Sequence, residues 1–436
     1  MKNTDILIIG AGAAGLMAAR ALTKSGKSVV LLEARNRIGG RIHTLKNADS
    51  STVIELGAEF IHGDLPLTKA LLDEAGIAYH NAAASMWKYE DGRFTNNGTF
   101  IENIGELLEK LNALEEDMTI NSFLKMEFDG DKYEGLRESV RQFVCGYDNA
   151  DPDRASAVAL LREWQSESEE EQYRVDGGYS ALINFLVDEF TASGGEIYLN
   201  KVVTLLKWQQ HQVTAVTDDG ITYEAKQVLI AAPLGVLQAK ANEKGAINFE
   251  PLIQDYKYAI NALGFGAVIK LLLHFDEAFW ESVQTEKLAD NNLKDMGYLF
   301  SSEEIPTWWT QMPARSATLT GWLGGPDALA QVTTPDEEIL KMGLKSLQHI
   351  FNVDSNLLKE KLLSWKVANW TADAFARGSY AYDTVEATAS RKILNTPIKE
   401  TIFFAGEYLY EGAAIGTVEA ALTSGLKAAE RMISEI

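Results

Sequence analysis

A glycine-rich turn near residue 10 could do chemistry with its backbone alone. Gly10, Gly12 and Gly15 follow an apolar run at 5–9 and open a helical stretch. In that context the first glycine permits a tight turn, the second lets the backbone approach a pyrophosphate, and the third lets helix and strand pack closely. Glu33 ends the next apolar run, where a carboxylate can bind a ribose diol. The pattern predicts a dinucleotide site that suits NAD or FAD, and a glycine-rich turn without a ligand is the alternative.

A lysine stands inside an apolar segment farther along the chain. Lys270 is flanked by the apolar residues of 264–269 and 271–273, a pattern typical of a buried strand. A buried ammonium costs free energy unless it is paired or functional. Because side chains alternate across a strand, Lys270 could instead lie on a solvated face. The pattern alone leaves both interpretations open.

Strands and helices must position these residues. Apolar runs at 5–9 and 28–32, with the helical stretch 16–24 between them, predict a β-α-β unit of the length expected for a parallel crossover. We interpret the acidic runs 102–117 and 167–171 as solvated helix faces. The other predicted elements are a largely helical segment at 81–194, strands around a turn at 218–220 within 196–232, mixed strands and helices at 251–394, a buried strand at 402–405 and a last helix at 416–433.

The composition restricts the class of partner. The chain has 436 residues, enough for two domains, and a net charge of −22. That charge disfavours nucleic acid and anionic lipid and weakly attracts small cations, although it could serve solubility alone. The single cysteine, Cys145, forms no intrachain disulfide and fits a reducing compartment. With no signal-peptide pattern and no long apolar run, we expect a cytoplasmic protein without a membrane span, a nucleic-acid partner or a metal site.

Further motifs follow the glycine turn in one order along the chain. They are Glu33-Ala34-Arg35, Ile38-Gly39-Gly40-Arg41, and the segments 55–63, 199–203, 232–237, 377–380, 404–407 and 416–421. In these residues and in their order the chain resembles the flavin-containing amine oxidases. That family includes monoamine oxidases, polyamine oxidases and flavin-dependent histone demethylases. The resemblance extends from residue 5 to about residue 430.

The resemblance implies that the dinucleotide is FAD. Ser379 stands where monoamine oxidases carry the cysteine that bonds to flavin, so we expect non-covalent FAD. The N-terminus of the last helix would direct its N–H groups at the flavin edge that becomes negative on reduction. The residues that the resemblance assigns to FAD are Gly10, Gly12, Ala14, Gly15, Glu33, Ala34, Arg35, Gly40, Arg41, Gly57, Ala58, Glu59, Phe60, Val203, Trp365, Trp370, Gly406, Glu407, Thr417 and Val418.

The resemblance also assigns roles on the substrate side of the flavin. Lys270 precedes a Phe-x-x-x-Phe-Trp segment at 275–280, as does the family lysine that holds a water against flavin N5. In an apolar pocket such a lysine could handle protons. His62 lies in the Gly-Ala-x-x-x-His-Gly segment 57–63. It resembles the polyamine oxidases at a position that faces the substrate.

An aromatic pair flanks the amine in this family, and one wall of it is missing here. Tyr380 matches the first wall, which orients an amine through contact with its ring face. Ala413 falls where monoamine oxidases have the second tyrosine. Tyr408 and Tyr410 are the candidates to fill the gap. The departure argues against a cage like that of the monoamine oxidases and is compatible with a longer substrate.

We predict an α/β fold with a doubly wound, Rossmann-like FAD-binding domain and an interleaved α+β substrate domain. The FAD-binding domain is expected to comprise 1–80, 195–250 and 395–436. The substrate domain is expected to comprise 81–194 and 251–394. The active site should lie at their junction, in front of the flavin.

The predicted reaction is oxidation of a neutral amine to an imine, with hydride passing to flavin N5. Water would hydrolyse the imine, and oxygen would reoxidise the flavin to give hydrogen peroxide. We favour a small polyamine-type substrate. An L-amino acid oxidase is one alternative, although it needs an arginine clamp for the carboxylate that the sequence does not identify. A dehydrogenase or desaturase on the same scaffold and a catalytically idle FAD-binding protein are the others, and Lys270, Tyr380 and the glycine motifs count against the idle protein.

Overall fold

A computed structural model describes residues 3–46, 53–82, 84–96, 101, 103–166, 172–282 and 293–434. The predicted acidic run 167–171 lies outside this part of the chain. The strands are, in chain order, β1 (Asn3–Ile9), β2 (Val29–Leu32), β3 (Thr44–Lys46), β4 (Val53–Glu55), β5 (Phe60–His62), β6 (Tyr79–Asn81), β7 (Ser85–Glu90), β8 (Arg93–Thr95), β9 (Gln172–Val175), β10 (Glu196–Tyr198), β11 (Val203–Gln209), β12 (Gln212–Thr217), β13 (Thr222–Ile230), β14 (Asn248–Glu250), β15 (Gly264–Phe265), β16 (Val268–Phe275), β17 (Met296–Phe300), β18 (Thr307–Trp309), β19 (Thr318–Gly324), β20 (Leu362–Asn369), β21 (Ala381–Tyr382) and β22 (Ile402–Phe404).

The helices are α1 (Ala13–Lys24), α2 (Pro66–Glu74), α3 (Ile104–Asn112), α4 (Ile120–Glu127), α5 (Glu134–Gly146), α6 (Ala157–Ser166), α7 (Ser180–Ala192), α8 (Leu234–Gln238), α9 (Gln254–Ala262), α10 (Gly325–Ala330), α11 (Asp336–Phe351), α12 (Ser355–Lys361), α13 (Ala387–Leu394) and α14 (Val418–Ser434). Short 3₁₀ turns lie at Asp131–Tyr133, Phe279–Ser282 and Glu407–Leu409. Among the described residues, no helix is both long and apolar enough to cross a bilayer. The same residues contain no group of three or more His, Cys, Asp or Glu side chains that could hold a metal ion.

The first sheet is built around β1, at the centre of five parallel strands in the order β10, β2, β1, β13, β22. An antiparallel extension of β13 joins it to β12 and β11, and β14 completes the edge. Side chains alternate across β1, so Ile6 and Ile8 pack towards α1, α7 and α14, while Leu7 and Ile9 pack on the opposite face. A parallel layer buried on both faces is the expected form of a doubly wound fold. The fold predicted from the sequence is confirmed.

The second sheet has the order β20, β16, β19, β18, β17, β7, β8. On β16, Ile269 and Leu271 pack with α11 and α12 in the core on one face. Val268 and Leu272 alternate with them and pack on the other face, against residues near the first sheet. Lys270 lies between these two in register and is 1% exposed. The alternation therefore places Lys270 inside the protein, not on a solvated face.

Smaller units complete the wall around the junction of the two sheets. Helices α3 to α6 pack into a core of their own, and β5, β9 and β6 form a three-stranded sheet. Helix α7 packs against α1 on the first sheet, although it falls within the segment 81–194 that we assigned to the substrate domain. That packing is evidence against the predicted boundary at 194. The remaining domain boundaries stay a prediction.

Candidate active site

A cavity of about 1320 Å³ opens where the two sheets and the helical part meet. Sites for single small ligands span roughly 300 to 1,000 Å³, so this cavity has room for a dinucleotide and a further molecule. It begins at the carboxyl ends of β1 and β2, with Ile9 and Leu32 in its lining. In doubly wound folds that edge of the sheet is where ligands bind.

The turn between β1 and α1 forms a cradle without side chains. Gly10 has a φ of +107° and Gly40 a φ of +60°, both in the region that favours glycine. A Cβ added at Gly12 would meet no atom within 4 Å, although Gly12 lines the cavity, so that space is open to a ligand. No side chain caps α1 and no acidic residue lies in its first turn. The free N–H groups and positive end of the helix fit the pyrophosphate of FAD.

Gly15 contributes packing instead of cavity surface. A Cβ at Gly15 would lie 2.0 Å from the carbonyl oxygen of Gly10, which no side chain could tolerate. Gly15 is not among the residues that line the cavity. Its predicted role in close helix–strand packing therefore agrees with the structure, and its role for the cofactor is indirect.

Glu33 is fixed at the end of β2 by two backbone donors. The N–H groups of Ala11 and Arg35 donate to its two carboxylate oxygens at 2.8 and 2.9 Å. The side chain is buried yet lines the cavity, which leaves its remaining acceptor positions for a ligand hydroxyl. Arg35 in turn is paired with Asp373 at 2.6 Å and lies over the ring of Phe375 at 5.5 Å. This arrangement fits the adenosine end of FAD.

Arg41 is held between two distant segments of the chain. Its Nη1 donates to Glu407 Oε1 at 2.8 Å and to the carbonyl oxygen of Ser379. The other oxygen of Glu407 accepts the N–H of Ala381 at 3.2 Å. Both members of the Arg41–Glu407 pair line the cavity. Their pairing fixes the Gly-Gly-Arg loop against the segment that carries the aromatic wall.

The N-terminus of α14 also faces the cavity. Gly416, with a φ of +79°, and Thr417 line it just before the helix begins. Thr417 Oγ1 accepts the N–H of Ala420 at 3.2 Å, which satisfies one of the helix donors. Glu419 lies in the first turn, but its carboxylate turns away and accepts the N–H groups of Leu67 and Thr68 at the start of α2, at 3.0 and 2.7 Å. The positive helix end is therefore not cancelled on the side that faces the cavity.

Lys270 is part of a buried ionic network. Its ammonium donates to Glu59 Oε2 at 2.5 Å and to the carbonyl oxygen of Gly57 at 3.3 Å. Arg174 on β9 is ion-paired with the other oxygen of Glu59, which also accepts the indole N–H of Trp309 at 3.1 Å. Burial opposes ionisation of Glu59, but the two cations outweigh it and lower the pKa of Glu59 to about 2. The apolar pocket that we expected around Lys270 is wrong, since its nearest partner is a carboxylate.

His62 turns its ring into the cavity beside this network. The ring lies 5.6 Å from that of Phe60 and 6.1 Å from that of Tyr147. Protein atoms around the cavity disfavour the charged imidazole and lower the pKa of His62 to about 4, although the side chain is exposed to the cavity, and the Glu59 carboxylate opposes this shift only in part. His62 is therefore neutral near pH 7 and can accept a hydrogen bond from a donor in the cavity.

Tyr380 lines the cavity, and its hydroxyl donates to the carbonyl oxygen of Tyr147, while its role as the first aromatic wall stays a prediction. Of the two candidates for the second wall, Tyr408 is fully buried in the core of the first sheet and does not reach the cavity. Tyr410 lines the cavity together with Ala413. The opening predicted at Ala413 is thus bordered by Tyr410.

From His62 a row of aromatic rings leads away from the glycine cradle. Tyr147 and Phe143 stack with their centroids 5.0 Å apart, and Phe143 meets Trp164 edge to face at 5.9 Å. All three side chains line the cavity. They come from α5, from the residue that follows it, and from α6. We refer to Tyr147, Phe143 and Trp164 with their surroundings as the aromatic branch.

Carboxylates accompany the aromatic branch. The acidic residues of the cavity lining in this region are Glu138, Asp148, Glu163 and Asp327. Asp148 is only 4% exposed. The segment 101–166, which supplies the first three, holds fifteen Asp and Glu against seven Lys and Arg. This part of the cavity therefore favours cations.

One residue that the resemblance assigned to FAD lies elsewhere. Trp365 sits on the edge strand β20, is 36% exposed and does not line the cavity. Trp370 follows the same strand, lines the cavity and donates its indole N–H to the carbonyl oxygen of Leu56 at 2.7 Å. The structure places Trp365 away from the predicted cofactor site, because its side chain projects from an edge strand towards solvent.

The other predicted site residues come together around the cavity. Those in its lining are Gly10, Gly12, Ala14, Glu33, Ala34, Arg35, Gly40, Arg41, Gly57, Ala58, Glu59, Phe60, His62, Val203, Lys270, Trp370, Tyr380, Gly406, Glu407, Thr417 and Val418. Sequence reasoning missed Arg174, Trp309 and the aromatic branch. Arg174 and Trp309 lie on short strands with no motif to mark them, and only the three-dimensional arrangement brings them to Glu59.

Comparison with known proteins agrees with this geometry. The family model for flavin containing amine oxidoreductases matches residues 13–433. Polyamine oxidase 2 of Arabidopsis thaliana is 28% identical over 463 residues, covering 98% of this chain and 88% of the relative. Polyamine oxidase 4 of Oryza sativa subsp. japonica is 26% identical over 458 residues, with the same coverage. A solved structure of putrescine oxidase bound to putrescine has a TM-score of 0.79 at 21% identity, covering 99% of each chain, which shows a shared fold.

Proposed function

Since the chain belongs to the flavin-containing amine oxidoreductases and is an FAD-dependent oxidoreductase that acts on amine donors, we propose that its substrate is an extended amine of the polyamine kind. The observation that carries this proposal is the aromatic branch with its carboxylates. A single short amine would fill only the space beside His62 and Tyr380. A longer chain with a second cationic nitrogen would extend along Tyr147, Phe143 and Trp164.

The chemistry along this branch suits cationic nitrogen atoms. Ring faces attract ammonium groups, and the effect grows where water is excluded. Glu138, Asp148 and Glu163 add negative charge along the same wall. A polyamine carries its charges several bonds apart, so it can bind here at one nitrogen while another reaches the reacting position. The curated relatives named as polyamine oxidases support the same substrate class.

The reacting nitrogen would lie beside His62, Tyr380 and Lys270. Neutral His62 can accept a hydrogen bond from the amine, and the ring of Tyr380 limits access of water. Bound FAD supplies the acceptor for the hydride that leaves the carbon next to nitrogen. A protonated amine has no lone pair to assist that departure, so the neutral amine is the reactive form. Water then hydrolyses the imine, and oxygen takes up the electrons to give hydrogen peroxide.

The FAD is proposed to be held without a covalent bond. Ser379 lies in the cavity lining and is 6% exposed. A serine hydroxyl is a weak nucleophile and lacks the thiolate chemistry of the cysteine found there in monoamine oxidases. Acid precipitation should therefore release yellow flavin into the supernatant, whereas colour retained in the pellet would show a covalent link.

An L-amino acid substrate is the main alternative, and the cavity disfavours it. Such a substrate needs a guanidinium near the reacting carbon to bind its carboxylate. Among the described lining residues the arginines are Arg35 and Arg41, both at the dinucleotide end and both ion-paired.

An amine panel tests the proposed function. The purified, FAD-loaded enzyme is mixed without oxygen with putrescine, spermidine, spermine, their acetylated forms, benzylamine and L-amino acids, and flavin bleaching is followed. Peroxide is then measured in air. We expect a polyamine to reduce the flavin fastest. Rapid reduction by benzylamine or an L-amino acid, with none by the polyamines, would refute the substrate claim and leave the amine oxidoreductase assignment intact.

A further inference from the structure

The cavity wall contains more positive than negative charge at the position of Lys270. The ammonium of Lys270 and the guanidinium of Arg174 bind the same carboxylate, Glu59. The side chains of Lys270 and Glu59 are 1% and 5% exposed, and that of Arg174 is 13% exposed. Bulk water therefore screens this network weakly. Two cations and one anion leave one net positive charge.

Below about pH 7, neighbouring groups on the elements packed against the network do not cancel this charge. His62 on β5 is neutral because its pKa is lowered to about 4. Tyr298 on β17 keeps its proton, since burial raises the pKa of its hydroxyl. Trp309 on β18 donates a neutral N–H. Glu55 on β4 accepts the N–H of Tyr179 at 2.7 Å, and burial raises the pKa of this carboxyl to about 7, so it is largely uncharged below that pH and adds negative charge above it.

The arrangement also fixes where Lys270 can act. Its ammonium is held by Glu59 and by the carbonyl oxygen of Gly57, and it lies 5.3 Å from the centroid of the Trp309 ring. The bond to Glu59 is charge-assisted and fixes the ammonium at this wall. A cationic nitrogen placed beside Lys270 would therefore be repelled.

Building on the proposed function, we propose that Glu59 and Arg174 are positioning residues that fix the Lys270 ammonium in place and give this wall one net positive charge. Their charge makes the inner end of the cavity select the neutral form of the reacting amine. The carboxylates of the aromatic branch select the charged form of a distant nitrogen. A polyamine would therefore bind with a deprotonated nitrogen at the reacting position and a protonated nitrogen in the aromatic branch.

Charge substitutions test this proposal through opposite effects. Arg174→Gln lowers the net charge of the network to zero, and Glu59→Gln raises it to two. The apparent pKa in the pH profile of anaerobic flavin reduction should rise with Arg174→Gln and fall with Glu59→Gln, each by about one unit. The midpoint potential of the flavin should fall with Arg174→Gln and rise with Glu59→Gln, because positive charge favours the reduced flavin.

The double variant Glu59→Gln/Arg174→Gln is the decisive comparison. It loses both contacts but restores one net positive charge, so its apparent pKa and potential should return towards those of the wild type. If Glu59 and Arg174 had a purely structural role, the apparent pKa and potential of the double variant would differ from the wild-type values by more than those of either single variant. The double variant also serves if Glu59→Gln alone does not fold, since it does not bury two unopposed cations.

Arg391→Gln provides a matched control. The side chain of Arg391 is 6% exposed, against 13% for Arg174, and pairs with Asp383, with one of its bonds at 2.6 Å, but Arg391 does not line the cavity. Arg391→Gln should therefore leave the apparent pKa of flavin reduction and the midpoint potential of the flavin unchanged. The proposal would be overturned if Arg174→Gln and Glu59→Gln left the apparent pKa and the midpoint potential at their wild-type values. It would also be overturned if both variants shifted these quantities in the same direction.

The failure of this proposal is distinguishable from failure of the proposed function. If polyamines do not reduce the wild-type flavin, the substrate claim is wrong. The pH profiles are then recorded with whichever amine of the panel does reduce it. The midpoint potential needs no substrate and reports the charge of the network by itself.

Discussion

The two ends of the cavity recognise opposite charges by different means. At the dinucleotide end, glycine backbone and the start of α1 supply positive partial charge from N–H groups, with Arg35, Arg41 and Lys201 in the lining. At the other end, aromatic rings and carboxylates line the branch beneath α5 and α6. The first end depends on backbone shape, which few substitutions preserve. The second depends on side chains, which can vary in number and position without disturbing the fold.

This difference explains which part of the protein can change its ligand. A bound anion at the cradle requires glycine at positions where a Cβ would occupy the ligand space. The distal nitrogen atoms of an amine require only negative charge and ring faces within reach. We therefore expect cofactor binding to be lost by single small substitutions, and amine preference to shift gradually.

The largest effect should come from filling the cradle with Gly12→Val. Gly12 has a φ of −84°, which any residue adopts, and its Cβ would meet no protein atom within 4 Å. The apoprotein should fold normally, while FAD affinity should fall by at least about 10²-fold, equivalent to roughly 3 kcal/mol. Circular dichroism and FAD titration measure the two effects. Gly105→Ala, at an equally open position in α3, is the control. Normal FAD binding by Gly12→Val would show that the glycine turn does not bind the cofactor.

The second largest effect is expected from replacing Lys270, which lies between the dinucleotide end and the acidic end of the cavity. Lys270→Met should slow anaerobic flavin reduction or reoxidation by on the order of 10²-fold, because the cavity loses a fixed positive charge beside the reacting position. It should also lower the free energy of unfolding by about 3 kcal/mol, because Glu59 loses a buried partner. Stopped-flow spectroscopy and chemical denaturation measure these changes. Lys270→Arg keeps the charge and should retain most of the stability, and normal rates in Lys270→Met would show that Lys270 serves folding alone.

A smaller effect is expected at the acidic end. Glu138→Gln/Glu163→Gln removes two carboxylates from the aromatic branch and should raise KM for a triamine roughly tenfold, about 1.4 kcal/mol. KM for a short monoamine and FAD affinity should not change. Glu134→Gln lies on the same helix outside the cavity lining and serves as the control. An equal rise in KM for both amines would mean that the branch does not distinguish substrates by length.

The smallest expected change concerns the pH dependence of His62. Because the pKa of His62 is lowered to about 4, the imidazole is already neutral above about pH 5. The activity should rise with pH above that point as the substrate amine loses its proton. His62→Gln should therefore keep the same apparent pKa in the pH–rate profile, with KM for a diamine raised a few-fold. A profile that loses an ionisation near pH 6 to 7 in His62→Gln would show that His62 titrates in the working range.

The dinucleotide end was predictable because its signals are local. The Gly10–Gly15 spacing, the apolar runs beside it and Glu33 all lie within one β-α-β unit. The charge network was not predictable in the same way. Glu59 was assigned to the cofactor from its place in a motif, but its partners Lys270 and Arg174 come from β16 and β9 of different sheets. No sequence spacing links them, and only their burial together shows that they form one unit.

The aromatic positions show a second limit. Trp365 and Trp370 look alike in the sequence, yet one lies exposed on the edge of a sheet and the other is buried beside Leu56. Tyr408 and Tyr410 differ in the same way, since the first fills the core of the first sheet and the second borders the cavity. Residue type and spacing identified the candidates in both pairs. Which member faces inward depends on the local direction of the backbone, which the sequence motif does not specify.

One wall of the cavity joins the two ends of the sequence. A Cβ at Gly425 of α14 would lie 2.1 Å from the carbonyl oxygen of Ala14, so α14 packs directly on α1. During synthesis the glycine cradle emerges from the ribosome long before residue 416 does. Until then the apolar face of α1 has no α14 to cover it, and contacts between such distant segments form slowly. FAD capture should therefore be a late event of biosynthesis, and a ribosome stalled before α14 should display a cradle that cannot retain the cofactor.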